Sequence, residues 1–510
     1  MFITLPIARV KNQSWNKYRA EIIDNFFQYD IGKFEKYLIN VKAEELDKLS
    51  NMRTLKIFYE AAQRIPAYKD FLKKNKVDPK KIKSIRDFKR GVPITSKENY
   101  IAKYPIKMLA WDGTLREYSI AAVSSGTSGK PTLWPRDLIT EYESGYLHEH
   151  IISTLFQGNK KTTLGVVAFH MGMYTAGIFT LRSLQIVSEK GYPIISVSPG
   201  MNVKDVIESI CNLYDQVNQV ILFTYPSLVK SILDGIEDRK IKLADLRMHL
   251  VPAGEPFTEN WKNNTLSRLS NSKHSSKLFS IYGCSEKTIL GHETPAAIGV
   301  KKLLNSDEGA LKKLGYDSTP NVYQYYPFLR YFESLDGALL FTATGGIPLM
   351  RYRIGDFGEI MSFEKAQATW KNYAPLSKNK LKLPFVFVRG REQALTFYGA
   401  NIYKNNIEDG LASKKISHLV TGRFTMRKEV KQSGKEHLYI YVELANNQQL
   451  TPSVRLNISD IIKKTIQKKN AEHSVVVKTI GKESIPTIVI HQYRQKPYFG
   501  LDGKHRWIIY

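Results

Sequence analysis

Residues 120–132 read Ile-Ala-Ala-Val-Ser-Ser-Gly-Thr-Ser-Gly-Lys-Pro-Thr, a short apolar run that leads into a loop rich in hydroxyl groups. The apolar part, Ile120–Val123, predicts a strand. The loop Ser124–Thr132 carries five hydroxyl residues, two glycines and Lys130. Glycine lets backbone N–H groups converge on phosphate oxygens, and the hydroxyl and ammonium groups add further donors. We interpret the loop as a phosphate-binding element rather than a flexible linker, and it is not a Walker A loop, because GxxxxGK[ST] is absent.

Downstream of this loop, short apolar runs alternate with amphipathic segments. The strand-like runs are Leu164–Ala168, Ile194–Val197, Val220–Phe223, His249–Pro252 and Lys277–Tyr282, and helix-like stretches between them include Val203–Leu213 and Pro226–Ile236. This alternation predicts an α/β architecture with a substantially parallel sheet. Upstream, residues 1–117 are predicted to be mostly helical, because Ala20–Leu38 and Leu55–Leu72 repeat apolar residues every three or four positions.

The last quarter of the chain reads as a smaller α+β unit. A basic, polar stretch at Lys378–Pro384 precedes it, and we place a domain boundary near Gly390, which gives domains at residues 1–389 and 390–510. A short strand is predicted at Phe385–Val388, just before this boundary. Within the small unit the predicted strands are His437–Leu444, Ser474–Ile480 and Thr487–Tyr493, and apolar residues on one face between Val454 and Ile466 predict a helix. The fold expected is a large multi-layer α/β domain with mixed, largely parallel sheets flanked by helices, followed by this small unit.

Bulk properties restrict the class of protein. The chain has 510 residues, a formal net charge of +27 and two cysteines, Cys211 and Cys284, outside any CxxC or Cys/His metal pattern. Sparse cysteine fits a reducing compartment, and no signal peptide is recognisable, so we expect a cytoplasmic protein. The uncharged segment Leu164–Leu181 contains glycines and His170, which predicts a buried strand–loop–helix rather than a membrane span. Lysines are scattered without a groove-reading motif, so we do not expect a nucleic-acid partner.

Further motifs follow the hydroxyl-rich loop in a fixed order. They are Ala253-Gly254-Glu255-Pro256, Tyr282-Gly283-Cys284-Ser285-Glu286, Arg351-Tyr352-Arg353-Ile354-Gly355-Asp356, Arg389-Gly390-Arg391-Glu392-Gln393 and Tyr398-Gly399-Ala400-Asn401-Ile402. Together with Ser124–Thr132 this set resembles the adenylate-forming superfamily, which comprises acyl-CoA synthetases, adenylation domains and luciferases. Thr132 in place of a terminal lysine, and the stretches Arg64–Leu72 and Asp87–Lys97, look like the phenylacetate-CoA ligase-like branch. The resemblance runs from about residue 60 to the C-terminus.

The resemblance implies a nucleotide site. It assigns ATP and AMP binding to the loop and to the later motifs, with Tyr282 as the stacking ring, Asp356 on the ribose hydroxyls and Arg391 near ribose or phosphate. It assigns a Mg²⁺ ion to Glu286, since Mg²⁺ prefers one carboxylate together with phosphates and waters. The full set of expected nucleotide-binding residues is Ser124, Ser125, Gly126, Thr127, Ser128, Gly129, Lys130, Gly254, Glu255, Pro256, Tyr282, Gly283, Ser285, Asp356 and Arg391.

The resemblance also implies a catalytic lysine and an acid pocket. Lys504 follows a glycine near the C-terminus and is the expected catalytic residue, with Lys496 as the competing lysine; its role would be to hold a carboxylate against the α-phosphate. The stretch Phe169–Gly177 looks like the aromatic pocket motif, so His170, Met173 and Tyr174 are candidate pocket residues. A core role for His170 remains open, because a lone histidine in an apolar stretch commonly packs in the core.

The implied activity is ATP-dependent, AMP-forming activation of a carboxylic acid, followed by transfer to coenzyme A, with a small C-terminal domain that moves between the two steps. The hinge departs from the family: Glu392-Gln393 replaces the usual x-Asp, and the stretch before the glycine loop is one residue shorter. Three alternatives therefore stay open, namely transfer to an amine or carrier protein, a basic nucleic-acid-binding role, and a degenerate member without turnover. A dimer is one option for the assembly.

Overall fold

A computed structural model describes residues 6–10, 13–124, 132–257, 259–316, 319–370, 373, 376, 381–391, 394–431, 435–446, 448–499 and 507–509. The chain begins with helices α1 (Trp15–Gln28), α2 (Ile31–Asn40), α3 (Ala43–Arg64), α4 (Pro66–Lys74), α5 (Ile85–Gly91) and α6 (Ile106–Leu109). The predicted helical start is thus observed, but each long apolar repeat contains a break. Asp30 caps α2 by accepting from the Lys33 N–H, and Pro66, which has no N–H to donate, starts α4.

A hairpin of β1 (Tyr118–Ser124) and β2 (Thr132–Asp137) follows, and then helix α7 (Leu138–His150). Asp137 caps α7 by accepting from the Thr140 N–H at 2.9 Å. Every residue of α7 is buried, including its charged and histidine side chains. A helix that is buried all round must satisfy its polar groups inside the protein, so the polar side chains of α7 need partners within the fold.

A parallel sheet with strand order β4-β3-β5-β6 forms the next layer. Its elements are β3 (Thr163–Ala168), α8 (Thr175–Glu189), β4 (Ile194–Val197), α9 (Val203–Cys211), β5 (Gln219–Thr224), α10 (Pro226–Glu237), β6 (Met248–Pro252) and α11 (Glu259–Leu269). Apolar residues of β3, β5 and β6 pack against these helices in one core. This is the predicted parallel sheet, and the segment Leu164–Leu181 is the strand, loop and helix that the sequence indicates. No helix among the described residues is long and apolar enough to span a membrane.

A nine-stranded sheet forms the second layer, with order β10-β11-β12-β13-β9-β8-β7, with β14 paired to β13 and with β15 paired to β14. Its elements are β7 (Ile281–Cys284), β8 (Thr288–His292), α12 (Pro295–Ser306), α13 (Glu308–Lys312), β9 (Asn321–Gln324), β10 (Tyr331–Leu335), β11 (Ala338–Ala343), β12 (Leu349–Met361), α14 (Phe363–Thr369), β13 (Phe385–Arg391), β14 (Ala394–Phe397) and β15 (Ala400–Tyr403). The pairings of this sheet are antiparallel. The large unit is therefore mixed, as expected, and its antiparallel part is larger than the strand–helix alternation suggests.

The C-terminal unit has its own core, which starts at Leu395. It contains α15 (Lys404–Leu411), β16 (Val420–Val430), β17 (Glu436–Leu444), α16 (Pro452–Lys469), α17 (Ala471–Ile480), β18 (Thr487–His491) and β19 (Ile508–Ile509). The strand predicted at Ser474–Ile480 is wrong, because these residues belong to α17. Its run of valines imitates a strand, but Asn470 caps the helix by accepting from the His473 N–H, and Val476 is buried in the core. The boundary near Gly390 stays a prediction.

Candidate active site

A cleft of about 1280 Å³ lies where the parallel sheet, the nine-stranded sheet and the C-terminal unit meet. Residues from position 94 to position 509 contribute to its lining. Two sides of the cleft differ in chemistry. We name the side formed by Tyr282, Gly283, Ser285, Glu286 and Asp356 the carboxylate wall, and the side formed by Ser144, His148, Tyr174, Thr175, Phe179 and Thr180 the imidazole wall.

The carboxylate wall is built from β7, the turn after it, and β12. The Tyr282 hydroxyl donates to Oδ2 of Asp356 at 2.6 Å, and both residues are buried. The Tyr282 ring stacks on Tyr323, with centroids 5.4 Å apart and planes 17° apart. These contacts fix the ring and the carboxylate relative to each other. Two residues predicted from separate motifs, 74 positions apart, are thereby in direct contact.

The turn that carries Glu286 is held from behind by Arg136. The Arg136 guanidinium is buried and donates to the carbonyl of Glu286 at 2.6 Å and to the carbonyl of Ser285. Burial lowers the pKa of Arg136 to about 10, so the side chain is charged at neutral pH. The Tyr352 hydroxyl donates to Oε1 of Glu286 at 3.3 Å. Backbone and carboxylate of Glu286 are therefore both positioned before any ligand binds.

One carboxylate facing a cleft is the donor set that Mg²⁺ uses when phosphate oxygens and waters complete its shell. Glu286 lines the cleft and Asp356 lies on the same wall. Among the described residues no group of three or more His, Cys, Asp or Glu side chains could hold a metal ion together. A single carboxylate on the cleft wall fits a cation that arrives with a polyphosphate.

The predicted phosphate loop is anchored at the edge of the cleft. Ser124 and Thr132 face each other at the end of the β1–β2 ladder, so both ends of the loop are fixed. The Ser124 hydroxyl accepts from Trp134 Nε1 at 3.1 Å and from Lys97 Nζ at 3.4 Å. The predicted residues Ser125, Gly126, Thr127, Ser128, Gly129 and Lys130 lie outside the described residues.

Lys97 reaches this edge because Thr95 pairs with β12. The Thr95 N–H donates to the Arg351 carbonyl at 3.2 Å, and the Arg353 N–H donates to the Thr95 carbonyl at 2.8 Å. Lys97 ends the stretch Asp87–Lys97, but the sequence analysis assigns no role to its side chain. The structure adds its ammonium group to the cleft lining, next to the loop.

The loop Gly254–Pro256 follows β6 and also lines the cleft, as predicted for these residues. Gly254 has φ of +83°, and a Cβ there would lie 2.9 Å from Cε1 of Tyr225. Gly399, from the C-terminal unit, approaches the same ring: its φ is +81°, and a Cβ would lie 3.2 Å from Tyr225 and 3.4 Å from Oε1 of Glu255. The glycine loop therefore lines the cleft in a backbone conformation, and at a distance from Tyr225, that favour glycine.

The predicted pocket residues take three different positions. Tyr174 lines the cleft. His170 is buried behind it, with ring centroids 5.1 Å apart, and is not part of the described lining. Met173 is 55% exposed and also lies outside the described lining. Of these three candidates, Tyr174 therefore lines the cleft, and His170 packs against the Tyr174 ring.

The imidazole wall contains residues that sequence analysis missed. Ser144 and His148 stand one helical turn apart on α7, and Thr175, Phe179 and Thr180 come from α8. The only available signal is the number of polar residues in α7. Burial lowers the pKa of His148 to about 4, so this imidazole is neutral at pH 7.

The remaining predicted residues, Arg391 and Lys504, belong to the last quarter of the chain. The backbone of Arg391 pairs with Asp356 and Ala394, which places the end of β13 beside the carboxylate wall, while its side chain lies outside the described part. Lys504 lies outside the described residues. Lys496, its competitor, is exposed and is not in the described lining of the cleft.

Comparisons with known proteins agree with this geometry. The chain is 23% identical over 380 residues to a phenylacetate-coenzyme A ligase of Thermus thermophilus. The aligned region covers 74% of this chain and 77% of the relative. No family model matches the chain.

Solved structures of 2-hydroxyisobutyryl-CoA ligase share the fold. The complex with 2-HIB-AMP and CoA in the thioesterification state is 16% identical to this chain and superposes with a TM-score of 0.64. The alignment covers 93% of this chain and 91% of the ligase chain. The TM-scores for a postadenylation state and for an open conformation of the same enzyme are 0.53 and 0.52. The sequence similarity covers about three quarters of the chain, the solved ligase shares its fold, and the ordered motifs described above meet in one cleft.

Proposed function

We propose that this protein activates a carboxylic acid with ATP, forms an acyl adenylate with release of pyrophosphate, and transfers the acyl group to coenzyme A. The observation that carries the proposal is the meeting of Tyr282, Glu286, Asp356 and the base of the Ser124–Thr132 loop in one cleft. The similarity to a phenylacetate-coenzyme A ligase supports the same reaction class.

In the first step, a carboxylate oxygen of the acid attacks the α-phosphorus of ATP, and the bond to the pyrophosphate oxygen breaks. Such transfers need positioning and charge neutralisation rather than covalent help from the protein. The phosphate loop and Lys97 would hold the triphosphate. Asp356, which only accepts hydrogen bonds when ionised, would bind the ribose hydroxyls, and the Tyr282 ring would lie against the adenine.

A Mg²⁺ ion held by Glu286 and phosphate oxygens would neutralise charge on the polyphosphate when bound. Lys504 would hold the acid carboxylate beside the α-phosphate. Its ammonium group would stabilise the negative charge that develops in the transition state.

In the second step, the thiolate of coenzyme A attacks the acyl carbon of the mixed anhydride, and AMP leaves with the electron pair of the broken C–O bond. In the structure the C-terminal unit lies against the cleft, with Gly399 close to Tyr225 and Glu255. We assign this position of the C-terminal unit to the second step. The higher TM-score to the thioesterification state of the solved ligase points the same way.

A pyrophosphate-release assay over aryl, fatty and amino acids tests the proposal. Release from ATP should require an acid, and free coenzyme A should convert the product to a thioester and AMP. Adenylate accumulation without thioester would move the acceptor to an amine or a carrier protein. ATP binding without acid-dependent release would indicate a degenerate member of the superfamily.

A further inference from the structure

The turn of the glycine loop has a conformation that its tyrosine does not favour. β14 and β15 are joined by Tyr398 and Gly399, whose φ angles are +45° and +81°. Tight hairpin turns in which both residues are left-handed usually contain asparagine, aspartate or glycine. A tyrosine is strained in this conformation, so other parts of the fold must hold Tyr398 in place.

Glu436, the first residue of β17, holds Tyr398 at two points. The Tyr398 N–H donates to Oε2 of Glu436 at 2.7 Å, and the Glu436 N–H donates to the Tyr398 hydroxyl at 3.2 Å. Both side chains are buried. The carboxylate therefore fixes the backbone of the turn, and the backbone of β17 fixes the far end of the tyrosine ring.

Lys428 in β16 pairs with the other oxygen of this carboxylate. Its Nζ donates to Oε1 of Glu436 at 2.7 Å, and the two side chains are 13% and 4% exposed. Burial of a carboxylate is costly unless its oxygens are paired. Here one oxygen accepts from the turn and the other accepts from Lys428, and both residues line the cleft together with Gly399.

The second strand of the hairpin is also bound to the C-terminal unit. The Asn401 N–H donates to Oε2 of Glu472 at 3.3 Å, and Nδ2 of Asn470 donates to the Asn401 carbonyl at 2.8 Å. The hairpin therefore takes its position from the C-terminal unit. Glu436 provides the contact at the turn itself, where Gly399 approaches the cleft.

We propose that Glu436 is a positioning residue for thioester formation. It fixes Tyr398 and thereby sets the distance between Gly399 and Tyr225 at the cleft. The inference rests on the proposed function, which assigns the observed position of the C-terminal unit to the second step. Glu436 acts on that step only through the turn, and a displacement of about 1 Å in such a contact has a large effect on rate.

The test measures the two half-reactions separately in Glu436→Gln. The amide has the shape of the carboxylate but only one accepting oxygen, so it cannot serve both the Tyr398 N–H and the Lys428 ammonium group. Phenylacetate is the first acid used, and the best acid from the pyrophosphate-release screen replaces it if the wild-type protein does not accept it. We expect thioester formation from the adenylate and coenzyme A to fall by at least about tenfold, while acid-dependent exchange of pyrophosphate into ATP stays within about twofold.

Glu443→Gln is the matched control. Glu443 is a buried carboxylate in the same strand, accepts from the Arg494 N–H at 2.8 Å, and is not in the described lining of the cleft. This variant should leave the ratio of the two rates unchanged. Equal losses in both half-reactions of Glu436→Gln would overturn the inference and leave acid activation intact. Absence of acid-dependent exchange in the wild-type protein would instead remove the proposed function and the inference with it.

A double-mutant cycle with Tyr398→Asn connects the effect to the turn. Asn-Gly is a preferred sequence for a left-handed hairpin turn, so the turn of Tyr398→Asn should form without help from Glu436. In that background Glu436→Gln should lower thioester formation by less than about threefold, whereas independent effects would multiply. The same loss in both backgrounds contradicts the inference. If Glu436→Gln does not fold, Lys428→Gln gives the same readout: slower thioester formation with unchanged exchange supports the inference, and unchanged thioester formation contradicts it.

Discussion

On the carboxylate wall the polar side chains bind one another, whereas on the imidazole wall two of them have no partner among the described residues. Tyr282 donates to Asp356 and Tyr352 donates to Glu286. On the imidazole wall, Nε2 of His148 and Oγ1 of Thr175 are buried and have no hydrogen-bond partner among the residues that the structure describes. The polar side chains of the carboxylate wall are therefore positioned by one another before any ligand binds.

The largest effect should come from the lysine that is the expected catalytic residue. Lys504→Ala should lower acid-dependent pyrophosphate release by about 10²–10³-fold, because one preorganised charge at the transition state has that value. Lys496→Ala is the matched control and should stay close to wild type. Release that survives Lys504→Ala but not Lys496→Ala would assign the role to the other lysine.

The contact between the C-terminal unit and the cleft should matter next. Gly399→Ala places a methyl group 3.2 Å from Tyr225 at a φ of +81°, so the backbone is strained and the ring or the glycine loop must move slightly. Thioester formation should fall by about ten- to a hundredfold, since small misplacements have large effects on rate, and adenylate formation should change less. Gly422→Ala is the control, with a φ of +83° and nothing within 4 Å. Equal losses in both half-reactions would separate this contact from the second step.

A smaller effect is expected from removing the hydrogen bond between Tyr282 and Asp356 on the carboxylate wall. Tyr282→Phe keeps the stacked ring and removes the hydrogen bond to Asp356. We expect the KM for ATP to rise by about tenfold with the KM for the acid unchanged, because a hydrogen bond to a charged group is lost. Tyr323→Phe, in the ring stacked against Tyr282, should leave the KM for ATP near its original value. A rise confined to the acid KM would place the acid on this wall.

The smallest effect concerns the stability of α7, which carries His148 and His150. Burial lowers the pKa values of these two side chains to about 4 and about 3, from 6.5. Between those values and 6.5 the unfolded chain binds more protons, so stability is complete above about pH 6.5 and falls as the pH drops toward 4. Thermal unfolding followed against pH should show this decline, and the double variant His148→Phe, His150→Phe should make it shallower, while the buried His170, His249 and His292, whose pKa values burial also lowers, keep part of it. An unchanged slope in that variant would show that other groups cause the decline.

The sequence predicts the two walls unequally for a physical reason. Tyr282, Gly283, Ser285 and Glu286 lie within one strand and turn, so their spacing along the chain preserves their arrangement in space. The imidazole wall combines α7 and α8, whose facing side chains depend on packing that no local pattern encodes. Arg136 was missed likewise, because it acts on backbone carbonyls 149 and 150 positions away.

The fold shows the same division between local and distant causes. The strands of the parallel sheet were recognised because continuous apolar runs between helices are typical of buried parallel strands. The run Val475–Val477 gives a similar signal, yet it lies in α17, where an asparagine cap and core packing outweigh the strand preference of valine. The nine-stranded sheet is antiparallel because of pairings such as that of β13 with β9, which join positions more than sixty residues apart. Local sequence patterns do not encode such pairings.

Exchange of labelled pyrophosphate into ATP tests the central claim most directly, because it detects reversible adenylate formation without coenzyme A. The account predicts exchange that requires an acid and Mg²⁺ and that is lost in Asp356→Ala. Acid-dependent formation of ADP and phosphate, or exchange that proceeds without any acid, would contradict it.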